Sequence, residues 1–505
     1  MKTLHIILIC IFVLSLTVRF WWYPQNVYFG YDQARDATIS QEIYKNKDIK
    51  IIGPSAGQEG LFHGPLYWYL LGPLYLVSHG NPAFVSGIIS VLNALGVFLI
   101  FFLAKQFFDD KVSLIASFLY AISFSMTQYA LYFANPAPAI LTIMLYFLGW
   151  ALVIFKKKPV GWVIMGFGLG LSIQFEFFLI YLISTFPVIF LIYFKDIKRE
   201  FNLKFFTLGL LSLLISLSTF ILAEIKYGFR TTKVLMGTFL HQASIPDLRL
   251  ASSTFWERLG TEIYYDAKVI FFKMPELFSL SLILLIVFAL FKYKNSRKLF
   301  IFFSIWIFSN LLLDIFRPPQ LYYVGIGLSI PIFLIFSFYL EKLRQKSKLI
   351  FMVATVLFIL INIKLMVKYN PSGPVDSLYV QKGELLLYEK EVINQIYDDA
   401  NGQKFTVNAL TMPYKIKTTW AYLFNWYGKQ KYGYIPFWGG EDVPGYEGNL
   451  PQPDSSKNVR YAILEPERGI PESLKKTFID SENGYNKPVW EKEIGDFVLQ
   501  KRIPN

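Results

Sequence analysis

Apolar runs of membrane-spanning length recur from the start of this chain to about residue 367, and short basic clusters separate them. About 20 apolar residues in a helix cross the hydrocarbon core of a bilayer, so this recurrence leaves little choice but a polytopic α-helical membrane protein. The remaining composition agrees: charged residues make up only 17% of the chain, against roughly a quarter in ordinary soluble domains. The first run is followed by Arg19, Phe20 and a tryptophan pair suited to an interface, and it reads as a retained span. Further spans are expected near 83–104, 112–129, 137–155, 160–173, 177–194, 205–223, 277–291, 299–315, 322–340 and 349–367, about eleven in all.

The basic clusters at 105–111, 156–159, 195–204, 292–298 and 341–348 all fall on one side if the N-terminus is cytoplasmic. The net charge of +13 is therefore membrane topology rather than a nucleic-acid footprint. Three long segments then lie on the outer face, at 21–82, 224–276 and from 368 to the C-terminus. In the last of these, "KFTVNAL", "VRYAILEP" and "DFVLQKR" read as strands and "TTWAYLFNWYGKQK" as a helix, giving a small α/β domain over 368–505 beside a transmembrane domain over 1–367. In that helix Trp420, Tyr422, Trp426 and Tyr427 suit either sugar stacking or an apolar core, and core is preferred. The sole cysteine, Cys10, excludes an internal disulfide.

The first outer segment carries "YFGYDQARDA" and then an amphipathic pattern with Ala34, Ile39 and Ile43 on one side, suited to a membrane surface. Asp32 fits two roles, helix cap or general base at the mouth of a cavity, and residue chemistry leaves both open. Downstream, "GLFHGPLYWYLLGPLY" places His63 before an aromatic helix whose Tyr67, Trp68, Tyr69 and Tyr75 read as belt residues. Glu176, at a tight outer turn, is expected to line a polar cavity or pair with another span. The segment 223–250 gathers Glu224, Arg230, His241 and Arg249, and "RPPQLYY" adds Arg317 and Tyr322. Arg and Lys are the natural partners of a phosphate, although a solvated helix face needs no ligand.

Together these features resemble the dolichyl-phosphate-mannose protein mannosyltransferases and their bacterial relatives, including aminoarabinose transferases, which are membrane glycosyltransferases of the GT-C class. The family's acidic motif, similar to D-E-A-R-Y-A, corresponds to "YDQARDA": Asp32, Ala34, Arg35 and Ala37 match, while Gln33 and Asp36 depart. "HGPLYWYL" looks like the family's K-P-P-L-Y-Y-W-L, with His63 at the basic position.

The resemblance implies a GT-C-like fold and an inverting transfer of a sugar from a polyisoprenyl-phosphate donor to a hydroxyl of a lipid, glycan or protein acceptor. Asp32 would be the catalytic carboxylate and Arg35, His63, Arg249 and Arg317 the donor-phosphate ligands. Asp36, Glu176, Glu224, His241 and Tyr322 are further cavity candidates. His241 stands where some relatives have a metal-binding histidine, but it has no evident partner acid, so a divalent metal remains open. A lipid-linked-sugar flippase without chemistry and a lipid-linked oligosaccharide ligase or polymerase are the alternatives.

Overall fold

A computed structural model of the chain describes residues 2–57, 59–199, 201–239, 275–292, 296–310, 325–374, 382–453, 458–466 and 470–504. The first apolar run folds as α1 (Lys2–Phe20), and it turns Ile6, Ile9 and Val13 outward, as a lipid-facing span must. Its inner side packs on α4 (Pro82–Ala104) and α5 (Asp110–Ala121). Arg19 does not flank an interface, as the sequence suggested. It is buried, donating to Asn93 Oδ1 at 2.7 Å, Ser15 Oγ at 2.6 Å and the Ala121 carbonyl at 3.0 Å. A charge away from water persists only with such partners.

The α4 helix begins where the sequence says it should. Asn81 caps it by accepting from the Ala83 amide, and Pro82 occupies the first turn, where its missing N–H costs nothing. Its 23 residues rise about 34 Å, enough to cross a bilayer. Two expected spans are instead broken. The run at 112–129 becomes α5 and α6 (Phe124–Leu131), bent by 53°. The Phe124 amide at that break is taken up by Asn362 Oδ1 at 2.8 Å, a partner far along the chain.

After α7 (Ala139–Phe155), α8 (Gly161–Phe175), α9 (Leu182–Ile192) and α10 (Phe194–Arg199), the run at 205–223 becomes α11 (Leu203–Ser216) and α12 (Ser218–Lys226), bent by 55°. A Cβ on Gly168 would lie 2.4 Å from the Tyr146 amide nitrogen, so α7 and α8 touch backbone to backbone. Among the described residues, three helices are long and apolar enough to cross alone, or up to five counting the bent pairs. Other expected spans fold as shorter apolar helices, and those at 299–315 and 322–340 lie partly outside the described residues, so the expected number of about eleven is not confirmed.

Beyond the apolar helix Lys348–Tyr369 lies a five-stranded sheet. Its strands are β1 (Phe405–Leu410), β2 (Phe437–Trp438), β3 (Val459–Leu464), β4 (Asn486–Ile494) and β5 (Phe497–Pro504), in the order β2-β1-β3-β5-β4. β1 pairs in parallel with β2 and β3, while β5 runs antiparallel to β3 and β4. The helix Leu386–Ala400 packs its buried Val392, Ile393 and Ile396 beneath the sheet. The "TTWAYLFNWYGKQK" segment is helical, with a π-turn at Phe424–Gly428.

One short junction fixes the sheet unit to the first outer segment. Tyr28 pairs antiparallel with Leu385, the Phe29 amide donates to the Glu384 carbonyl at 3.2 Å, and the Leu386 amide donates to the Val27 carbonyl at 2.9 Å. Asn26 adds a bond to the Asn370 carbonyl at 3.0 Å.

Candidate active site

The segment after that junction becomes α2 (Tyr31–Lys45). Its cap is not Asp32. Gly30 is the N-cap, and Gln33 Oε1 reaches back to accept from the Gly30 amide at 3.2 Å. Asp32 therefore stands in the first turn with no capping duty. The apolar side of α2 is also taken up within the protein: Ile39 and Ile43 pack on Trp68 of α3 (Leu66–Val77). Tyr67, Trp68 and Tyr75 are buried within the protein rather than forming a belt, because α2 covers the face that hydropathy would have given to lipid.

This packing builds a charged cluster. Arg35 lies one turn on from Asp32, so Nη1 reaches Asp32 Oδ1 at 2.6 Å, while Nε and Nη2 reach Asp36 Oδ1 at 2.9 and 2.7 Å. Trp68 Nε1 donates to the same Asp36 oxygen at 2.7 Å, and Asp36 Oδ2 is buried without a hydrogen-bond partner. The two carboxylates differ sharply in solvent: the Asp32 side chain is 44% exposed and that of Asp36 only 1%. Burial pushes the Asp36 carboxyl up to about 6, against the pull of Arg35, and the Asp32 charge adds to the rise. For Arg35, burial disfavours the charge, but Asp36 and then Asp32 more than offset it and raise its pKa. The cluster holds a water-accessible carboxylate at its rim, beside a guanidinium clamped from behind.

His63 is positioned by a small hairpin. Its amide donates to the Pro54 carbonyl at 2.9 Å, and Ser55 pairs with Phe62. The neighbouring Gly64 amide bonds to the Gln174 carbonyl, and the Gln174 side chain reaches Ser216 and Thr219 at the α11–α12 break. The Phe177 amide donates to His63 Nδ1 at 3.1 Å. That nitrogen is therefore an acceptor and the ring is neutral, with its proton on Nε2. Burial, reinforced by the Arg35 charge, lowers its pKa to about 3. The Glu176 carboxyl lies 3.6 Å from Nδ1, too far for a hydrogen bond, and burial raises its own pKa well above the usual range. Because the His63 ring is neutral, the two groups do not form an ion pair.

His63 also lines a cavity of about 260 Å³ with Glu224, Tyr227, Arg230 and Thr231. Glu224 is occupied there as a cap: it accepts from the Thr231 and Thr232 amides at 2.9 and 3.0 Å at the start of α13 (Arg230–Phe239). Burial would raise its pKa, but the hydrogen bonds from Thr232 and Thr231 hold it below the usual range. Arg249, Arg317, His241 and Tyr322 lie outside the described residues. Among the described residues, no group of three or more His, Cys, Asp or Glu side chains is arranged to hold a metal.

Residues that the sequence reading passed over complete the surroundings. The Tyr31 ring faces the Arg35 guanidinium at 5.6 Å and stands 6.1 Å from the Tyr446 ring. Tyr28 donates to Glu384 Oε2 at 2.8 Å, and Glu384, Glu389 and Glu465 are all buried within the sheet unit. Burial raises the pKa of all three, that of Glu465 to about 8, and the Asp32 charge adds to the rise at Glu384.

Comparison with known proteins gives three findings. The profile of the dolichyl-phosphate-mannose-protein mannosyltransferase family matches residues 63–222. The chain superimposes on ArnT from Cupriavidus metallidurans bound to undecaprenyl phosphate with a TM-score of 0.62 and 11% identity, over 98% of this chain and 97% of that one. The apo form of the same protein gives 0.60 and 12%, with the same coverage of both chains. No curated protein matches the sequence.

Proposed function

From a chain with a GT-C-like membrane fold and a mannosyltransferase-family match over 63–222, we infer an inverting glycosyltransferase that uses a polyisoprenyl-phosphate sugar. The observation that carries this reading is the Asp32–Arg35–Asp36 cluster, with Asp32 at its water-accessible rim. Asp32 accepts the proton of an acceptor hydroxyl as its oxygen attacks the anomeric carbon. The C–O bond to the lipid phosphate breaks, and the phosphate leaves as the anion. Asp36 holds Arg35, and Arg35 holds Asp32. Three of the five guanidinium N–H groups are spent on carboxylates, and the other two are available to the departing phosphate. His63 adds a neutral Nε2–H donor, and Arg249 and Arg317 supply cations from the outer loops.

A membrane-embedded donor and a polar acceptor meet only at a boundary between span and loop. In this reading residues 1–367 form the transmembrane domain and residues 368–505 cover the site from the outer face of the cytoplasmic membrane, with the N-terminus inside. The basic clusters support that orientation. The test is label transfer from radiolabelled polyprenyl-phosphate sugars in membranes holding equal amounts of the native chain or Asp32→Asn. A general base contributes about 10²–10⁴-fold, so the variant should lose nearly all transfer. Equal transfer by both removes Asp32 from the chemistry.

A further inference from the structure

A second cavity, of about 810 Å³, lies between α2, the C-terminal end of α3 and the sheet unit. It is within the size range of pockets that enclose a ligand rather than a water cluster, about 300–1,000 Å³. Three bonds that cross between the parts build its wall. Tyr422 Oη donates to the Gly80 carbonyl at 2.6 Å, Gln430 Nε2 to the His79 carbonyl at 2.9 Å, and Gln41 Nε2 to Tyr422 Oη at 3.1 Å. The opposite side is the loop 445–449, held by Thr418 Oγ1 on the Glu447 carbonyl at 2.7 Å and Asn425 Nδ2 on the Asn449 carbonyl at 2.8 Å.

The chemistry of this lining is specific. Trp426 and Tyr446 offer aromatic surface, with Tyr446 44% exposed. The amide oxygens of Asn425 and Gln430 and the Glu42 carboxylate offer short, directional acceptors, and Glu447 Oε2 is buried without a hydrogen-bond partner. Flat aromatic faces alternating with amides and carboxylates match a sugar ring, which has apolar C–H faces and a rim of hydroxyls. The charge argues against an anionic ligand. Glu42 and Glu447 outnumber Lys45, whose ammonium is already bonded to Gln41 at 3.0 Å. The cleft also leads to the candidate catalytic cluster: Tyr446 abuts Tyr31, which stacks on Arg35.

We propose that this cleft is a saccharide-binding site that receives an uncharged carbohydrate portion of the acceptor, with Tyr446 and Trp426 as stacking surfaces and Glu42 and Glu447 as hydroxyl ligands. The assignment of that carbohydrate to the acceptor rests on the transferase reading above; the binding itself does not.

The experiment is direct binding to the full chain in nanodiscs. Probes are soluble gluco-, manno- and chito-oligosaccharides of three to six rings, read by saturation-transfer NMR and by tryptophan fluorescence. At least one series is expected to bind, and Tyr446→Ala, a change at an exposed ring, should weaken it tenfold or more. Glu42→Ala serves as a second probe that leaves every bond of the cleft wall intact. No binding by any series, binding indifferent to both substitutions, or binding of unstructured peptides in place of saccharides overturns the proposal. Asp32→Asn separates the two readings, since it should bind saccharide like the native chain while failing to transfer sugar. Transfer surviving in Asp32→Asn sinks the catalytic reading and leaves the cleft; saccharide failure with transfer still dependent on Asp32 does the reverse.

Discussion

Replacing Asp36 by Asn asks whether burial or pairing dominates the charged cluster. Breaking a buried ion pair by removing one partner ordinarily costs about 3–5 kcal/mol. Here the balance differs, because burial raises the Asp36 carboxyl to about 6 from 3.8 even with Arg35 in contact. Keeping it ionised at neutral pH therefore costs the folded state about 3 kcal/mol. Asn keeps the oxygen that accepts from Arg35 and Trp68, and its amide nitrogen replaces Oδ2, which has no partner to lose. Arg35 retains Asp32.

The variant should thus be more stable than the native chain at pH 7.5, by about 1–3 kcal/mol. A raised folded pKa means that the proton favours the folded state. The Asp36 contribution is fully present below pH 3.8 and is lost as pH rises through about 6, so the gap should close by pH 4. Melting curves of both proteins in detergent at the two pH values measure this. A variant less stable than the native chain at pH 7.5, or a gap that acid does not close, would refute the argument that burial wins. If the cluster transfers sugar as proposed, activity should fall despite the added stability, because Arg35 then pairs with only one carboxylate charge, that of Asp32.

Three further outcomes follow from the same geometry. Glu176→Gln should leave the melting temperature at pH 7 little changed, because burial favours the uncharged carboxyl that Gln mimics; a marked loss would instead show an ion pair with His63. Gly30→Ala would place a Cβ 2.5 Å from both Glu384 Oε2 and Tyr28 Oη, so it should cost about 1–3 kcal/mol and open the junction to protease. Glu224→Ala removes a helix cap, with an expected loss of about 1 kcal/mol, seen as faster hydrogen exchange at the start of α13.

Patterns carried by local physics were legible in the sequence. The α2 helix, the Asn81–Pro82 start of α4 and strands β1, β3 and β5 each follow from periodicity or capping chemistry within a few residues. What escaped depends on distant partners. At the break in the run near residue 123 the local sign is Ser123, which caps α6, whereas the partner that satisfies the freed Phe124 amide, Asn362, lies far along the chain. Trp68 read as an interfacial belt residue because hydropathy cannot distinguish a membrane interface from a covering helix, and so its bond to Asp36 was missed. The β4 strand, with Pro488 and several charges, lacks an apolar period because it is an edge strand. Asp32 and Arg35 were visible together because one helical turn separates them. Glu447 and Tyr446 were not, because the loop that brings them alongside α2 lies some four hundred residues later.

The Tyr28–Glu384 contact joins residues 356 positions apart. At about 5–20 residues per second, a ribosome needs roughly 20–70 s after making Tyr28 before Glu384 exists to receive it. The segment bearing Asp32 is thus among the first to be made and among the last to be fastened. A chain stopped short in synthesis would carry Tyr28 and the α2 cluster without the partner that fastens them, so the junction is complete only when the whole chain is.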